Sequence, residues 1–228
     1  MFDFDVPPYR LSGTVYAALL NDPLQIAALG DAVRQAPYKA PPVHPVLSVK
    51  PRNTLAGEGA AVVVPAGVEA LEMGASLAIV IGRTACRVNE GQAFDVVAGY
   101  TIANDISVPV AAVGRHYRPG LRLRARDGFC VIGSQVRPAG LVPSPDALQV
   151  RVWVDGRLAQ TADTAARTRG VARLIADVTE FMTLQPGDLL LLGAAQGAPL
   201  ARAGESVVIE IEGLGRLSQR LVAEPGCA

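Results

Sequence analysis

Two kinds of apolar stretch run along this chain, and the difference between them predicts its architecture. Residues 75–82, ASLAIVIG, form an unbroken apolar run without alternation, the pattern of a strand covered on both faces. DLLLLG, at residues 188–193, has the same character. LQVRVWVDGRL instead alternates apolar and polar positions and turns at Asp155-Gly156, the signature of a hairpin with one buried face. Trp153 falls opposite Val150, Val152 and Val154, which places it at a groove or a subunit contact. VVIEIEG alternates as well, with Val207, Ile209 and Ile211 facing inward, and Gly213-Leu214-Gly215 turns it into RLSQRLV.

Helical periodicity is scarcer. Residues 164–182 carry the clearest stripe, made of Val171, Leu174, Ile175, Val178, Phe181 and Met182, and Gln185-Pro186-Gly187 ends it. Asp22-Pro23 supplies an N-cap and a first-turn proline for a second stripe, Leu24, Ala27, Ala32 and Val33. After ASLAIVIG, Arg83 stops the strand, Asn89-Glu90 opens a short helix, and Gly99 precedes TIAND. Two strands are therefore expected near each other across one crossover. GTVYAALLN and VLSVK add further strands, so strands well outnumber helices. The pattern is that of an α+β fold, mainly β, with a mixed sheet rolled into a sandwich or barrel. Residues 1–12 are expected to be a leader and 13–228 a single domain.

Composition narrows the partners. Half of the 228 residues are apolar and 18% are charged, with 21 basic and 21 acidic side chains. That balance provides no field to attract nucleic acid or an acidic membrane, and suits a small neutral or anionic metabolite. A mean hydropathy of +0.29 points to a buried subunit interface, with a compact core as the alternative. Cys86, Cys130 and Cys227 show neither CxxC nor Cys/His spacing, which argues against a disulfide framework or a zinc site and makes a reducing cytoplasm the expected location. TVYAALL is too short for a signal or a membrane span, so a soluble protein is expected.

The basic run between Asp105 and Cys130 is the main candidate for chemistry. It holds Arg115, Arg118, Arg122, Arg124 and Arg126 beside His116 and Tyr117. It is either a solvated loop and edge strand, or a clamp in which arginine forks grip substrate carboxylates. His44, between prolines and without a partner, reads as a surface residue.

YKAPP, KPRNT, GASLAIVIGRTA, GYTIANDISVP, YRP and RDGFCVIG resemble, in this order, segments of the fumarylacetoacetate hydrolase family. The resemblance implies a mixed β-sandwich roll with short peripheral helices, and an enzyme in which a Glu-x-Glu and an Asp hold a divalent cation, Mg²⁺ in type. In this chain Asp105 matches the Asp, while Gly74 and Ser76 stand at the two Glu positions. Mg²⁺ binding is therefore expected to be weak or absent, unless Glu69, Glu72 or another carboxylate fills the gap. The family's His and Glu dyad falls near Gln25 and Ala28, and its hydroxyl-bearing T-G-T-P loop falls on Leu192-Gly193-Ala194-Ala195. Its metal-side Lys falls on Arg124, so Lys50, Asn104, Arg124 and Arg126 become the substrate-binding candidates, with no catalytic residue assigned.

A narrower likeness is to the amino-terminal half, or separate first subunit, of the family's bifunctional isomerase/decarboxylases. It implies decarboxylation of 5-oxopent-3-ene-1,2,5-tricarboxylate and isomerisation of 2-hydroxyhepta-2,4-diene-1,7-dioate in homoprotocatechuate catabolism. The partners would be a dicarboxylic or tricarboxylic 2-oxo acid and either a second copy or a homologous second subunit. A non-catalytic structural partner and an acylpyruvate-type hydrolase are the alternatives.

Overall fold

In the computed structural model, residues 13–36, 39–109 and 120–226 are described. The leader, Arg115, His116, Tyr117, Arg118 and Cys227 lie outside them. The strands are β1 (Val15–Leu19), β2 (Val46–Lys50), β3 (Leu55–Gly57), β4 (Ala61–Val64), β5 (Leu71–Glu72), β6 (Ala75–Ile81) and β7 (Val97–Asp105). They continue with β8 (Cys130–Ile132), β9 (Arg137–Pro138), β10 (Gln149–Val154), β11 (Arg157–Asp163), β12 (Leu189–Leu191), β13 (Leu200–Ala201), β14 (Ser206–Ile211) and β15 (Gly215–Ala223). Among the described residues three short α-helices accompany them: α1 (Pro23–Leu29), α2 (Leu121–Arg124) and α3 (Val171–Thr179). No helix among the described residues is long and apolar enough to cross a membrane.

The larger sheet runs β2-β1-β12-β6-β7-β8-β3, with β9 also on β7. Laid flat, it would hold β2 and β3 six strand spacings apart, about 29 Å at ~4.8 Å each. Only residues 51–54 separate Lys50 from Leu55, and five peptide steps span at most about 18 Å. The sheet therefore curls, edge strand toward edge strand. Its inner face carries Val15, Ala17, Ala78, Ala103, Cys130, Ile132, Leu189 and Leu191, with Leu55 packed on them. The small side chains Ala17, Ala78 and Ala103 leave room for the roll to close.

The outer face, with Leu77, Ile79, Tyr100, Ile102 and Leu190, packs against Val152, Ile209 and Leu217 of the second sheet in one core. That second sheet has the order β11-β10-β14-β15-β4. The architecture is thus the α+β, mainly β, sandwich roll expected. All seven residues of β6 are buried, because the roll interior covers one face and the second sheet the other.

Several boundaries differ from the pattern, each for a physical reason. β6 and β7 pair antiparallel, Ala75 opposite Asn104, so no crossover joins them. The linking helix is a 3-10 helix, Glu90–Val96, capped by Asn89 Oδ1 accepting from the Gln92 amide at 3.1 Å. The long stripe shortens to α3, which starts after Gly170, because the backbone before it bonds elsewhere: the Thr168 amide donates to Asn21 O at 2.7 Å and the Arg169 amide to Asn21 Oδ1 at 2.9 Å. Phe181 and Leu24, both read as apolar-face positions, are 63% and 62% exposed. The hairpin turn falls where expected, with positive φ at Asp155 and Gly156 as a primed turn requires.

Candidate active site

Paired residues on neighbouring strands share a face. Lys50 pairs with Val15, and Asp105 pairs with Cys130, so both point into the roll, where Val15 and Cys130 belong to the inner core. Curling brings them together. The Lys50 ammonium, its side chain 0% exposed, forms an ion pair with one oxygen of Asp105, itself 7% exposed. Lys50 also donates to the Arg124 carbonyl at 3.3 Å. Arg124, the last residue of α2, donates to the other Asp105 oxygen at 3.1 Å and remains 25% exposed. Both oxygens of this carboxylate are thus taken by protein cations, the arrangement a buried charge needs to offset its lost hydration. The neighbouring Cys130 thiol is pushed up to about 12, chiefly by burial, with Lys50 opposing and Asp105 reinforcing the shift.

The KPRNT turn brackets this cluster. Asn53 donates its amide to the Ala125 carbonyl at 3.2 Å and to Asp127 Oδ1 at 2.7 Å, and Gly128 N donates back to Asn53 O at 3.0 Å. The bracket holds the end of α2, and hence Arg124, over Asp105.

The two positions beside Asp105 are closed to carboxylates. A Cβ built on Gly74 would lie 2.4 Å from the Asp105 carbonyl oxygen, so no side chain fits there without moving backbone. Ser76 is buried, and its hydroxyl accepts from the Gly193 amide at 3.0 Å while donating to Leu77 O at 3.1 Å. Among the described residues no three of His, Cys, Asp or Glu gather as a metal-binding group. With one carboxylate already paired to two cations, the residues present do not fit a divalent ion.

A cleft of about 200 Å³ opens beside the cluster, lined by Gln25, Glu72, Gly74, Asp105, Ser107, Arg124 and the 194–198 loop. Glu72 accepts from the Ser107 hydroxyl at 2.7 Å. Ala194 and Ala195 present methyl groups where a hydroxyl loop was the family expectation. Gln25 lines the cleft, donating to Ala194 O at 3.4 Å, whereas Ala28 is exposed and does not.

Of the candidate site residues, Lys50, Asp105 and Arg124 come together; Asn104 and Arg126 do not join them. Asn104 is fully buried on the outer face, its amide donating to Met73 Sδ at 3.4 Å and its Oδ1 without a partner among the described residues. Arg126 donates to the Arg122 carbonyl at 2.8 Å at the surface. Lys50 is sealed behind Asp105 and does not line the cleft. His44 is exposed, and Glu69 pairs with Arg202 at 2.8 Å on the surface, so neither reaches the site.

Arg167 is a residue that pattern reading missed. Its side chain is 3% exposed, it donates to Gly193 O at 3.3 Å, and it lies 3.8 Å from Asp22, whose carboxylate also accepts from Gln196 N at 2.7 Å. It props the loop that forms the cleft wall, and burial pulls its guanidinium below the usual arginine value. Nothing in the local sequence separates it from the neighbouring Arg169.

Comparison with known proteins gives this geometry a context. Residues 14–222 match the family model described as fumarylacetoacetate (FAA) hydrolase C-terminal. The 4-hydroxyphenylacetate degradation bifunctional isomerase/decarboxylase of Escherichia coli is 38% identical over 214 residues, which is 94% of this chain and 48% of that protein. The chain thus spans about half the length of that relative. The 5-carboxymethyl-2-hydroxymuconate delta-isomerase of Mycobacterium smegmatis superposes with a TM-score of 0.76 at 27% identity, covering 94% of this chain and 80% of that one. The fumarylpyruvate hydrolase of Pseudomonas aeruginosa, whose structure holds Mn²⁺ and pyruvate, superposes with a TM-score of 0.75 at 25% identity, covering 92% and 90%. The roll, the ordered motifs and the family match agree: this chain belongs to the fumarylacetoacetate hydrolase family.

Proposed function

We propose that residues 13–228 act as a single fumarylacetoacetate-hydrolase-like domain, one half of a bifunctional isomerase/decarboxylase of 4-hydroxyphenylacetate (homoprotocatechuate) breakdown. The observation that carries this reading is the 38% identity over nearly the whole chain to half of the Escherichia coli enzyme. The substrates would be 5-oxopent-3-ene-1,2,5-tricarboxylate for decarboxylation and 2-hydroxyhepta-2,4-diene-1,7-dioate for isomerisation. Decarboxylation breaks a carbon–carbon bond and leaves an electron pair that needs a positive sink, while isomerisation moves a proton. In the cleft of this chain Arg124 is the cation at the wall, able to orient a substrate carboxylate.

Full turnover therefore belongs to an assembly with a homologous second subunit, in the cytoplasm. CO₂ release from the tricarboxylate, assayed with Mg²⁺, should be slow or nil for this chain alone and rise by orders of magnitude when the second subunit is added. Brisk turnover by the chain alone would contradict the reading. Failure of the two subunits to associate would instead favour a homodimer, with an interface of roughly 1,200–2,000 Å². The commitment of Asp105 to Lys50 and Arg124 favours a second reading, a structural partner that supports the other subunit's site. An acylpyruvate-type hydrolase is disfavoured by the alanines and glutamine that line the cleft.

A further inference from the structure

The residues around Asp105 do more than fail to fit a divalent ion; they supply its charge. We infer that Lys50 and Arg124 replace a metal in this chain, and that the cleft takes the carboxylate of an organic acid directly on the Arg124 guanidinium with no divalent ion between. The inference rests on the organic-acid substrate class proposed above.

Lys50 sits fully buried against one Asp105 oxygen, where a bound cation would have to sit, and its place is fixed by a second bond to the Arg124 carbonyl. A divalent ion added there would meet an ammonium and a guanidinium at close range with one carboxylate to share, so repulsion opposes its entry. Gly74 and Ser76 cannot supply the missing charge, one for lack of space and the other because its hydroxyl already bonds both Gly193 N and Leu77 O. Arg124 spends one terminal nitrogen on Asp105, leaving its other fork donors without a described partner at the wall of the cleft. The charged groups of the cleft wall are Arg124, Asp105 and Glu72, and with Lys50 behind Asp105 they sum to zero. Glu72, held by Ser107, repels an anion from its own side and so confines a carboxylate to the Arg124 side.

The test uses the full chain and oxalate, a dicarboxylate with two adjacent carboxyl groups, followed by isothermal titration calorimetry in EDTA and again in millimolar MgCl₂. Affinity should be the same within about twofold in the two buffers. Arg124→Gln should weaken it by about tenfold or more, and Arg124→Lys, which keeps the charge but not the fork, should lie between. In parallel, Mn²⁺ titrated into the chain should keep the electron paramagnetic resonance spectrum of the free ion.

Oxalate binding only with Mg²⁺, absence of binding in both buffers, unchanged affinity in Arg124→Gln, or stoichiometric capture of Mn²⁺ that Asp105→Asn abolishes would each overturn the inference. Metal-independent oxalate binding together with no CO₂ release from the two-subunit assembly would sink the proposed function and leave this inference standing.

Discussion

Asp105 and Glu210 each lie between two cations, and the contrast between them is one of exposure to water. Asp105, on the inner face of the rolled sheet, is 7% exposed between a buried Lys50 and a mostly buried Arg124. Glu210, on β14 of the second sheet, is 23% exposed and accepts from Arg151 at 3.0 Å and from Arg216 at 2.7 Å, side chains 42% and 68% exposed. Arg216 also lies over the Trp153 ring, 5.8 Å from its centroid, which gives that indole a partner within the chain. The Arg216 hydrogen bond, followed by the contacts from Arg151, holds the Glu210 carboxyl below its usual range. Solvent screens the Glu210 group, so each of its partners is replaceable by water. Around Asp105 water has little access, and each charge is held mainly by the others. A carboxylate between two cations is thus a solvated surface group in one sheet and a fixed, buried charge cluster in the other.

The largest effect expected from this difference is on stability. Lys50→Met strips Asp105 of its buried partner and should cost about 3–5 kcal/mol in urea unfolding, since the remaining charge is left desolvated. Arg216→Met should cost only about 0.2–1 kcal/mol. Equal costs would erase the contrast.

Next comes recognition. In the assembled enzyme, Arg124→Ala should lose about 1.5–3 kcal/mol of affinity for a dicarboxylic 2-oxo acid, measured by calorimetry. Unchanged affinity would mean that Arg124 only holds Asp105 in place.

The smallest effect is electrostatic and pH-dependent. Because the folded pKa of Glu210 is depressed, its pairing contributes stability above the unfolded carboxyl value and loses it as pH falls through the folded one. The small cost of Arg216→Gln should therefore be present at neutral pH and fade below about pH 4, near the ordinary glutamate value. A cost that persisted in acid would show that Arg216 acts through Trp153 rather than through Glu210.

Legibility in the sequence followed periodicity. β6, β14 and the β10–β11 hairpin announce themselves because burial on two faces or on one imprints a run or an alternation. Strands such as β5, β9 and β13 span two residues each and carry no period at all. Asp105 was visible as the end of an apolar strand, and Gly74 and Ser76 as residues without charge. What the sequence does not display is curvature. Lys50 and Arg52 look alike in the KPRNT turn, yet strand alternation and the closing of the roll bury Lys50 against Asp105 and leave Arg52 exposed. Arg167 was hidden for the same reason, because its partners Gly193 and Asp22 come from distant parts of the chain.

The Asp105 carboxylate belongs to Lys50 and Arg124, and nuclear magnetic resonance can read that pairing atom by atom. The side-chain ¹³Cγ signal of Asp105 and the ¹⁵Nζ signal of Lys50 should stay fixed as Mg²⁺ is added to millimolar concentration, while oxalate moves the Arg124 guanidinium signals. A saturable movement of the Asp105 and Lys50 signals with Mg²⁺ would contradict the account, because it would mean that the ion displaces the ammonium and takes the carboxylate.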